Sequence, residues 1–256
     1  MSDNGDPDFS AATAVVGAPL QNAPSCAAPV GVVAAFRREV SPLLRMNSGV
    51  KRLDHNRFSL ELKGRSAVMA VSGAGVEHSF RAARELARKF PLQGLISLGF
   101  AAGLQNSLAP GALLVAEEVI EESSGERFPC EAALLPSRIA CRGALLSVST
   151  VLQSAVQKRQ LGQRWNAVAA DMESAGVARA AREAGLPFAA LKSVTDSSDE
   201  SIAIDFQRCR SEHGGLVIWR VVWEAVTSLQ GLRDLIRLAG ASRRAAHNLA
   251  LGLGSS

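Results

Sequence analysis

Residues 167–196, AVAADMESAGVARAAREAGLPFAALKSVTD, decide the fold class. Ala167 to Ala170 is an apolar run cut off by Asp171, Met172, Glu173 and Ser174. Ala175, Val177, Ala178 and Ala181 then recur at helical spacing until Gly185-Leu186-Pro187 stops them. Phe188 to Val194 reads as a strand buried on both faces, closed by Thr195-Asp196-Ser197-Ser198-Asp199. A strand, a helix and a second strand in immediate succession belong to an α/β chain with a largely parallel sheet.

The same alternation continues upstream. Val30 to Ala35 is continuously apolar and breaks at Arg37-Arg38-Glu39, where a polar loop is expected. Phe58 to Leu62 alternates, Ala67 to Val71 is apolar, and Ser72-Gly73-Ala74-Gly75 turns into a helical stretch from Val76 to Phe90 ended by Pro91. Gly94 to Leu98 reads as a strand followed by a glycine turn over Gly99 to Gly103; Leu113 to Ala116 and Ala144 to Ser149 read as further strands, with a surface excursion over Ser123 to Pro136. Downstream, His213 to Ser228 and Leu232 to Leu251 read as helices. The second has Leu232, Leu235, Ile236 and Ala239 on one face and Arg233, Arg237, Arg243 and Arg244 elsewhere. The expected architecture is one three-layer α/β domain over residues 29–230, its mostly parallel or mixed central sheet flanked by helices. A flexible leader (1–28) precedes it and a basic amphipathic helix and tail (231–256) follow.

Composition removes several classes of function. The 256 residues are 47% hydrophobic and 20% charged, which excludes wholesale disorder, and a formal charge of +4 with 5% aromatics and no Tyr gives no base-stacking surface for nucleic acid. Cys26, Cys130, Cys141 and Cys209 show no C-x-x-C spacing, and His55, His78, His213 and His247 stand alone, so neither a disulfide framework nor a metal site is expected. No Lys or Arg precedes Arg37, which argues against a secretory signal, and no apolar stretch approaches the roughly 20 residues of a membrane span. A cytoplasmic location is expected.

In α/β folds ligands sit beyond the carboxyl ends of strands, which directs attention to Glu39, to Ser72 through Gly75, to Asp171 through Glu173, and to Asp196. Each has a plain structural reading as well. The glycine turn lacks both the third glycine of a dinucleotide fingerprint and the P-loop Lys. Asp171 serves equally as a helix cap, Glu173 as a first-turn acid, and Asp196 as a turn residue.

In combination these motifs resemble one family. Val30 to Val40 (VGVVAAFRREV), Ser72 to Gly75, Ser97 to Leu104 (SLGFAAGL), Leu108 to Val115 (LAPGALLV), Ala170 to Ser174 (ADMES) and Val194-Thr195-Asp196 look like successive signatures of the nucleoside phosphorylase and nucleosidase superfamily. The likeness runs over roughly residues 29 to 230 and is strongest to the methylthioadenosine/S-adenosylhomocysteine nucleosidases and the hopanoid-associated phosphorylase-like branch. The tail Leu235 to Ala246 (LIRLAGASRRAA) is similar to that second branch.

The resemblance implies cleavage of a purine N-glycosidic bond. Such a site needs an acid for the leaving base, a negative group near the developing ribosyl cation and a positioned nucleophile. By similarity, Asp196 protonates N7, either with a pKa raised by burial or by sharing a proton with the ring. Glu173 holds the ribose hydroxyls, Met172 lies against sugar or base, and Glu39 activates water. Ser72, Gly73, Asp171, Phe100, Ala101, Val151 and Leu152 complete the expected substrate contacts. Three departures stand out: Phe100 in place of a small hydroxyl residue, Val151 and Leu152 in place of an aromatic, and Asp171 in place of Glu.

Hydrolysis releasing adenine from a 5′-substituted adenosine is the leading expectation, with adenosylhopane as a substrate suggested by the tail. Phosphorolysis is the alternative, with phosphate as co-substrate held by Arg37, Arg38 and glycine-turn N–H groups; a nucleoside-binding module without catalysis is a third reading. No metal or organic cofactor is implied. A homodimer or larger assembly follows by resemblance; the basic helix over residues 232–251 is expected to pack on the sheet, with peripheral contact at the inner membrane surface as the alternative.

Overall fold

The buried apolar runs become the strands that the alternation predicts. The computed structural model describes residues 28–135, 141–201 and 229–253, with side chains of the last segment from residue 237 onward. In chain order these residues form β1 (Val30–Ala34), α1 (Arg37–Met46), β2 (Lys51–Arg52), β3 (Arg57–Leu62), β4 (Arg65–Val71), α2 (Val76–Lys89), β5 (Leu95–Gly103), β6 (Leu113–Glu121) and β7 (Arg127–Pro129). A short 3₁₀ turn follows, then β8 (Cys141–Ser147), α3 (Ala155–Trp165), β9 (Ala167–Asp171), α4 (Ser174–Glu183), β10 (Phe188–Asp196) and α5 (Leu229–Leu253). The expected leader and the stretch from His213 to Ser228 lie outside the described residues.

The sheet is mixed. β4, β1, β5 and β10 run parallel as successive neighbours. β10 then pairs antiparallel with β6, β6 and β9 flank β8 in parallel, and β9 returns to β5 antiparallel through Ala102 opposite Ala170 and Gly103 opposite Ala169. β5, β10, β6, β8 and β9 thus close into a ring, and β3 and β2 extend the open side beyond β4. Closure removes the edges that an open sheet would leave along those five strands.

Helices cover both faces. Phe80, Ala83 and Leu86 of α2 pack with Ala175, Val177, Ala178 and Ala181 of α4 on one side. Val40 and Leu43 of α1 pack with Leu249, Ala250 and Leu253 of α5 on the other. Ala241, Ala245 and Ala246 of α5 are buried as well, and Arg243, Arg244 and His247 are left exposed; the side chains of Leu232, Leu235 and Ile236, on the expected apolar face, lie outside the described residues. No helix among the described residues is long and apolar enough to cross a membrane.

Three expectations are corrected. Arg37-Arg38-Glu39 is the first turn of α1 rather than a loop: the arginines are exposed while Glu39 and Val40 are buried, a helical alternation too short to read from three residues. Gly99 to Gly103 is the second half of β5 rather than a turn, its glycines serving close approach instead of chain reversal. β9 runs antiparallel to β5, so the site is not gathered on one rim by parallel carboxyl ends alone. The poorly patterned middle of the chain also holds an unforeseen helix, α3.

At Gly176, α4 touches α2: a Cβ there would stand 2.1 Å from the Val76 carbonyl oxygen and 2.2 Å from Ser79 Oγ. Backbone cannot yield cheaply. Gly176→Ala is expected to destabilise the fold by about 1–3 kcal/mol, measured by urea unfolding, whereas Gly49→Ala, whose Cβ would have Asn47 Oδ1 at 3.6 Å as its nearest atom, loses less.

Candidate active site

Glu39 projects from the first turn of α1 into the interior and is 4% exposed. Its Oε2 accepts from Phe36 N–H at 2.9 Å and its Oε1 from Phe100 N–H at 3.3 Å. A Cβ on Gly99 would stand 3.0 Å from Oε1, so a glycine at that point of β5 makes room for the carboxylate. Burial raises the Glu39 pKa above its ordinary value, opposed in order by the Phe36 N–H, Lys192, Arg38 and the Phe100 N–H.

Glu173 ends the turn after β9. Its Oε1 accepts from Gly75 N–H at 3.0 Å and its Oε2 from Met172 N–H at 3.3 Å. Burial pushes its pKa up to about 7; Asp171 and Glu39 add to the rise, and Lys192 and the Gly75 N–H oppose it. Glu173 and Glu39 are thus electrostatic neighbours, gathered from β9 and α1.

Asp171 was expected at the substrate, but its side chain is enclosed. It accepts from Ser174 N–H at 3.0 Å and Ser174 Oγ at 2.6 Å, capping α4, and pairs with Lys192 Nζ at 2.8 Å. Lys192 also donates to Ser97 Oγ at 2.9 Å, and the Ser97 and Ser174 hydroxyls are 2.9 Å apart. This closed network supports the site from behind. Sequence reasoning passed over Lys192, although a lysine inside an apolar run is itself the signal of a buried partner.

Asp196 ends β10, 4% exposed. Thr195 Oγ1 lies 2.7 Å from its Oδ1, and Oδ2 is in contact with Nζ of Lys158 on α3. Lys158 has no sequence signal of its own, since α3 was not foreseen.

The glycine turn is not a vacant anion cradle. Ser72 N–H donates to the Ala34 carbonyl at 2.9 Å, Gly73 N–H to the Ala35 carbonyl at 3.0 Å, and Gly75 N–H to Glu173. Arg37 and Arg38 lie 5.2 and 4.8 Å over the rings of Phe58 and Phe36. Ala101 is buried with its carbonyl beside Thr195 Oγ1, and Phe100 is half-buried. Leu152 is buried in an apolar cluster against which Met172 packs; Val151 is half-buried.

A separate cavity of about 530 Å³, between β6, β8, β9 and Trp165, contains none of these acids. Among the described residues no group of His, Cys, Asp and Glu is arranged to hold a metal ion. Cys130 and Cys141 are free thiols, and burial pushes that of Cys130 up to about 12; Cys26 and Cys209 lie outside the described residues.

The chain is similar to known proteins in sequence and in fold. Residues 131–218 match the model of the Phosphorylase superfamily. The chain is 23% identical over 206 residues to the 5′-methylthioadenosine/S-adenosylhomocysteine nucleosidase of Buchnera aphidicola, covering 70% of this chain and 82% of that protein. It is 24% identical over 213 residues to the aminodeoxyfutalosine nucleosidase of Helicobacter pylori, covering 69% and 89%. Its fold matches that of a Helicobacter pylori 5′-methylthioadenosine/S-adenosylhomocysteine nucleosidase mutant with 5′-methylthioadenosine in the active site, with a TM-score of 0.65, 19% identity, and coverage of 88% of this chain and 96% of that one. The Neisseria meningitidis nucleosidase in complex with methylthio-immucillin-A gives a TM-score of 0.64, 21% identity, and coverage of 87% and 96%.

The Glu173 shift carries a pH signature. A carboxyl whose folded pKa of about 7 lies above its ordinary 4.5 binds more protons in the folded state between those values. Stability from this group is therefore full below about pH 4.5 and is lost as pH rises to about 7. Relative to the wild-type chain, Glu173→Gln should flatten the fall in melting temperature across that window. An identical pH profile in the two proteins would place the titration elsewhere.

Proposed function

We propose that this chain, which has the fold of the phosphorylase superfamily's nucleosidases and a sequence match to that superfamily, is an N-ribosyl hydrolase that releases adenine from a 5′-substituted adenosine. One observation carries hydrolysis over phosphorolysis. The Phe100 and Gly75 N–H groups, which would otherwise hold an anionic co-substrate, are occupied by the carboxylates of Glu39 and Glu173. A phosphate dianion brought there would face two buried acids, whereas a water is neutral and donates to them.

The roles follow from charge. As the C1′–N9 bond breaks, its electron pair goes to the base and positive charge develops on the ribose. Glu173 is the carboxylate assigned to hold the ribose hydroxyls and stabilise that charge. Glu39 orients the attacking water and takes its proton; its raised pKa makes it a better base than an exposed carboxylate. The Asp196 carboxylate and purine N7 share a proton taken up from solvent, so that adenine leaves as a neutral base. Lys192 limits the repulsion among Glu39, Asp171 and Glu173. Met172, Phe100, Val151 and Leu152 provide the apolar surroundings of sugar and base.

The tail resemblance supports a large apolar 5′ substituent of the adenosylhopane kind, which ties the chain to hopanoid biosynthesis. With Leu249, Ala250 and Leu253 of α5 engaged by the core, the exposed Arg243 and Arg244 support an electrostatic contact with a membrane surface. A cytoplasmic homodimer or larger assembly, without metal or organic cofactor, completes the reading.

Adenine release from methylthioadenosine, adenosine and a lipid-tailed adenosine, each with and without phosphate, tests it. Release independent of phosphate is expected. Glu39→Gln, Glu173→Gln and Asp196→Asn should each slow turnover by about 10²–10⁴-fold with the fold retained. Dependence on phosphate with ribose 1-phosphate as product would make the chain a phosphorylase, and nucleoside binding without release would make it a binding module.

A further inference from the structure

Asp196 does not stand alone at the end of β10. Lys158, in the first half of α3, has no exposed surface, and its ammonium meets Asp196 Oδ2, the Ser197 carbonyl at 3.1 Å and the Glu200 carbonyl at 2.9 Å. An ammonium has three hydrogens, and three acceptors surround it. The remaining carboxylate oxygen, Oδ1, meets Thr195 Oγ1. Both oxygens of Asp196 are therefore held, and the carboxylate has one orientation.

The segment that follows Asp196 is tied to the same helix. Ser201 Oγ accepts Ala155 N–H at 3.1 Å at the start of α3, Arg159 pairs with Asp199 at 2.8 Å, and Glu200 pairs with Arg237 of α5. Lys158 is the one of these groups that also touches the acid. A buried ion pair is weak evidence of stabilisation, because desolvating two charges offsets their attraction. Orientation of a reacting carboxylate is a role that a hydrophobic residue at 158 would not fill.

We propose that Lys158 is a positioning residue for base protonation: its ammonium, fixed by the Ser197 and Glu200 carbonyls, sets the orientation of the Asp196 carboxylate toward the leaving purine. This rests on the nucleosidase reading of Asp196. Lys158 acts through Asp196 and touches no substrate, so its removal lowers kcat while leaving KM nearly unchanged.

The test measures phosphate-free adenine release, from whichever of methylthioadenosine, adenosine and the lipid-tailed adenosine the wild-type chain cleaves fastest, by the full chain and by Lys158→Ala, Lys158→Met, Asp196→Asn and the Lys158→Ala/Asp196→Asn double variant. Thermal unfolding checks each for folding. Lys158→Ala and Lys158→Met should lose about a hundredfold in kcat with KM changed by no more than about threefold. Added propylammonium, which replaces the three carbons and the nitrogen removed, should restore Lys158→Ala saturably while propanol does not, and the double variant should be no slower than Asp196→Asn alone. A Lys158→Met enzyme with wild-type kcat, equal rescue by the neutral alcohol, or losses that multiply in the double variant would overturn the proposal. Should Lys158→Ala not fold, Lys158→Met, which keeps the volume, carries the kcat measurement and the double-variant comparison. A wild-type chain that releases no adenine from methylthioadenosine, adenosine or a lipid-tailed adenosine refutes the nucleosidase reading, and this proposal with it; an active wild type with an unaffected Lys158→Met refutes the positioning role alone.

Discussion

Holding Glu39 and Glu173 within electrostatic reach of each other in the interior is the constraint on which the rest of this structure depends. A buried carboxylate without partners is costly, and two neighbouring ones repel in addition. The protein offsets this with backbone: Phe36 and Phe100 N–H groups for Glu39, Gly75 and Met172 N–H groups for Glu173. The ammonium of Lys192 opposes the rise in pKa of both acids. What remains unbalanced is expressed as raised pKa values, and such perturbation in a cluster of acids is characteristic of working sites.

Those backbone donors are available only because of the sheet. Glu39 reaches Phe100 where Gly99 supplies no Cβ, and Gly75 meets Glu173 because α2 and α4 approach closely at Gly176. Closure of β5, β10, β6, β8 and β9 into a ring sets β9 and β10 on either side of β5, so that Asp171 and Lys192 pair across it near Ser97. Asp171 then serves two elements, neutralising Lys192 and capping α4, which in turn fixes where Glu173 points. Acid placement and barrel closure are one arrangement seen from two sides.

Much of this was legible before any coordinates. The runs Val30 to Ala34, Ala67 to Val71 and Phe188 to Val194 are strands because nothing polar interrupts them long enough to face water, and α2 and α4 follow from helical spacing of Ala and Leu. Glu39, Glu173 and Asp196 stand out because they follow buried runs, where the ligands of α/β folds sit, and because their order matches one family's motifs. Less legible were features defined by neighbours distant in sequence. Gly99 to Gly103 looks like a turn on local chemistry, and its strand pairing with both β10 and β9 overrides that preference. The α3 segment carries little periodicity, and Lys158 within it gave no hint of reaching a residue thirty-eight positions away.

By itself, then, the sequence determined the alternation of strands and helices, the absence of metal-binding and disulfide patterns, and which carboxylates end strands, because each rests on local composition and periodicity. Only the tertiary structure decided that β9 runs antiparallel to β5, that Asp171 stands behind the site, that the glycine-turn N–H groups are already engaged, and that Asp196 carries a buried lysine. The reason is physical: a hydrogen bond or an ion pair is formed by groups within a few ångströms, and residues 39, 75, 100, 158, 173, 192 and 196 come within that reach only when the sheet closes.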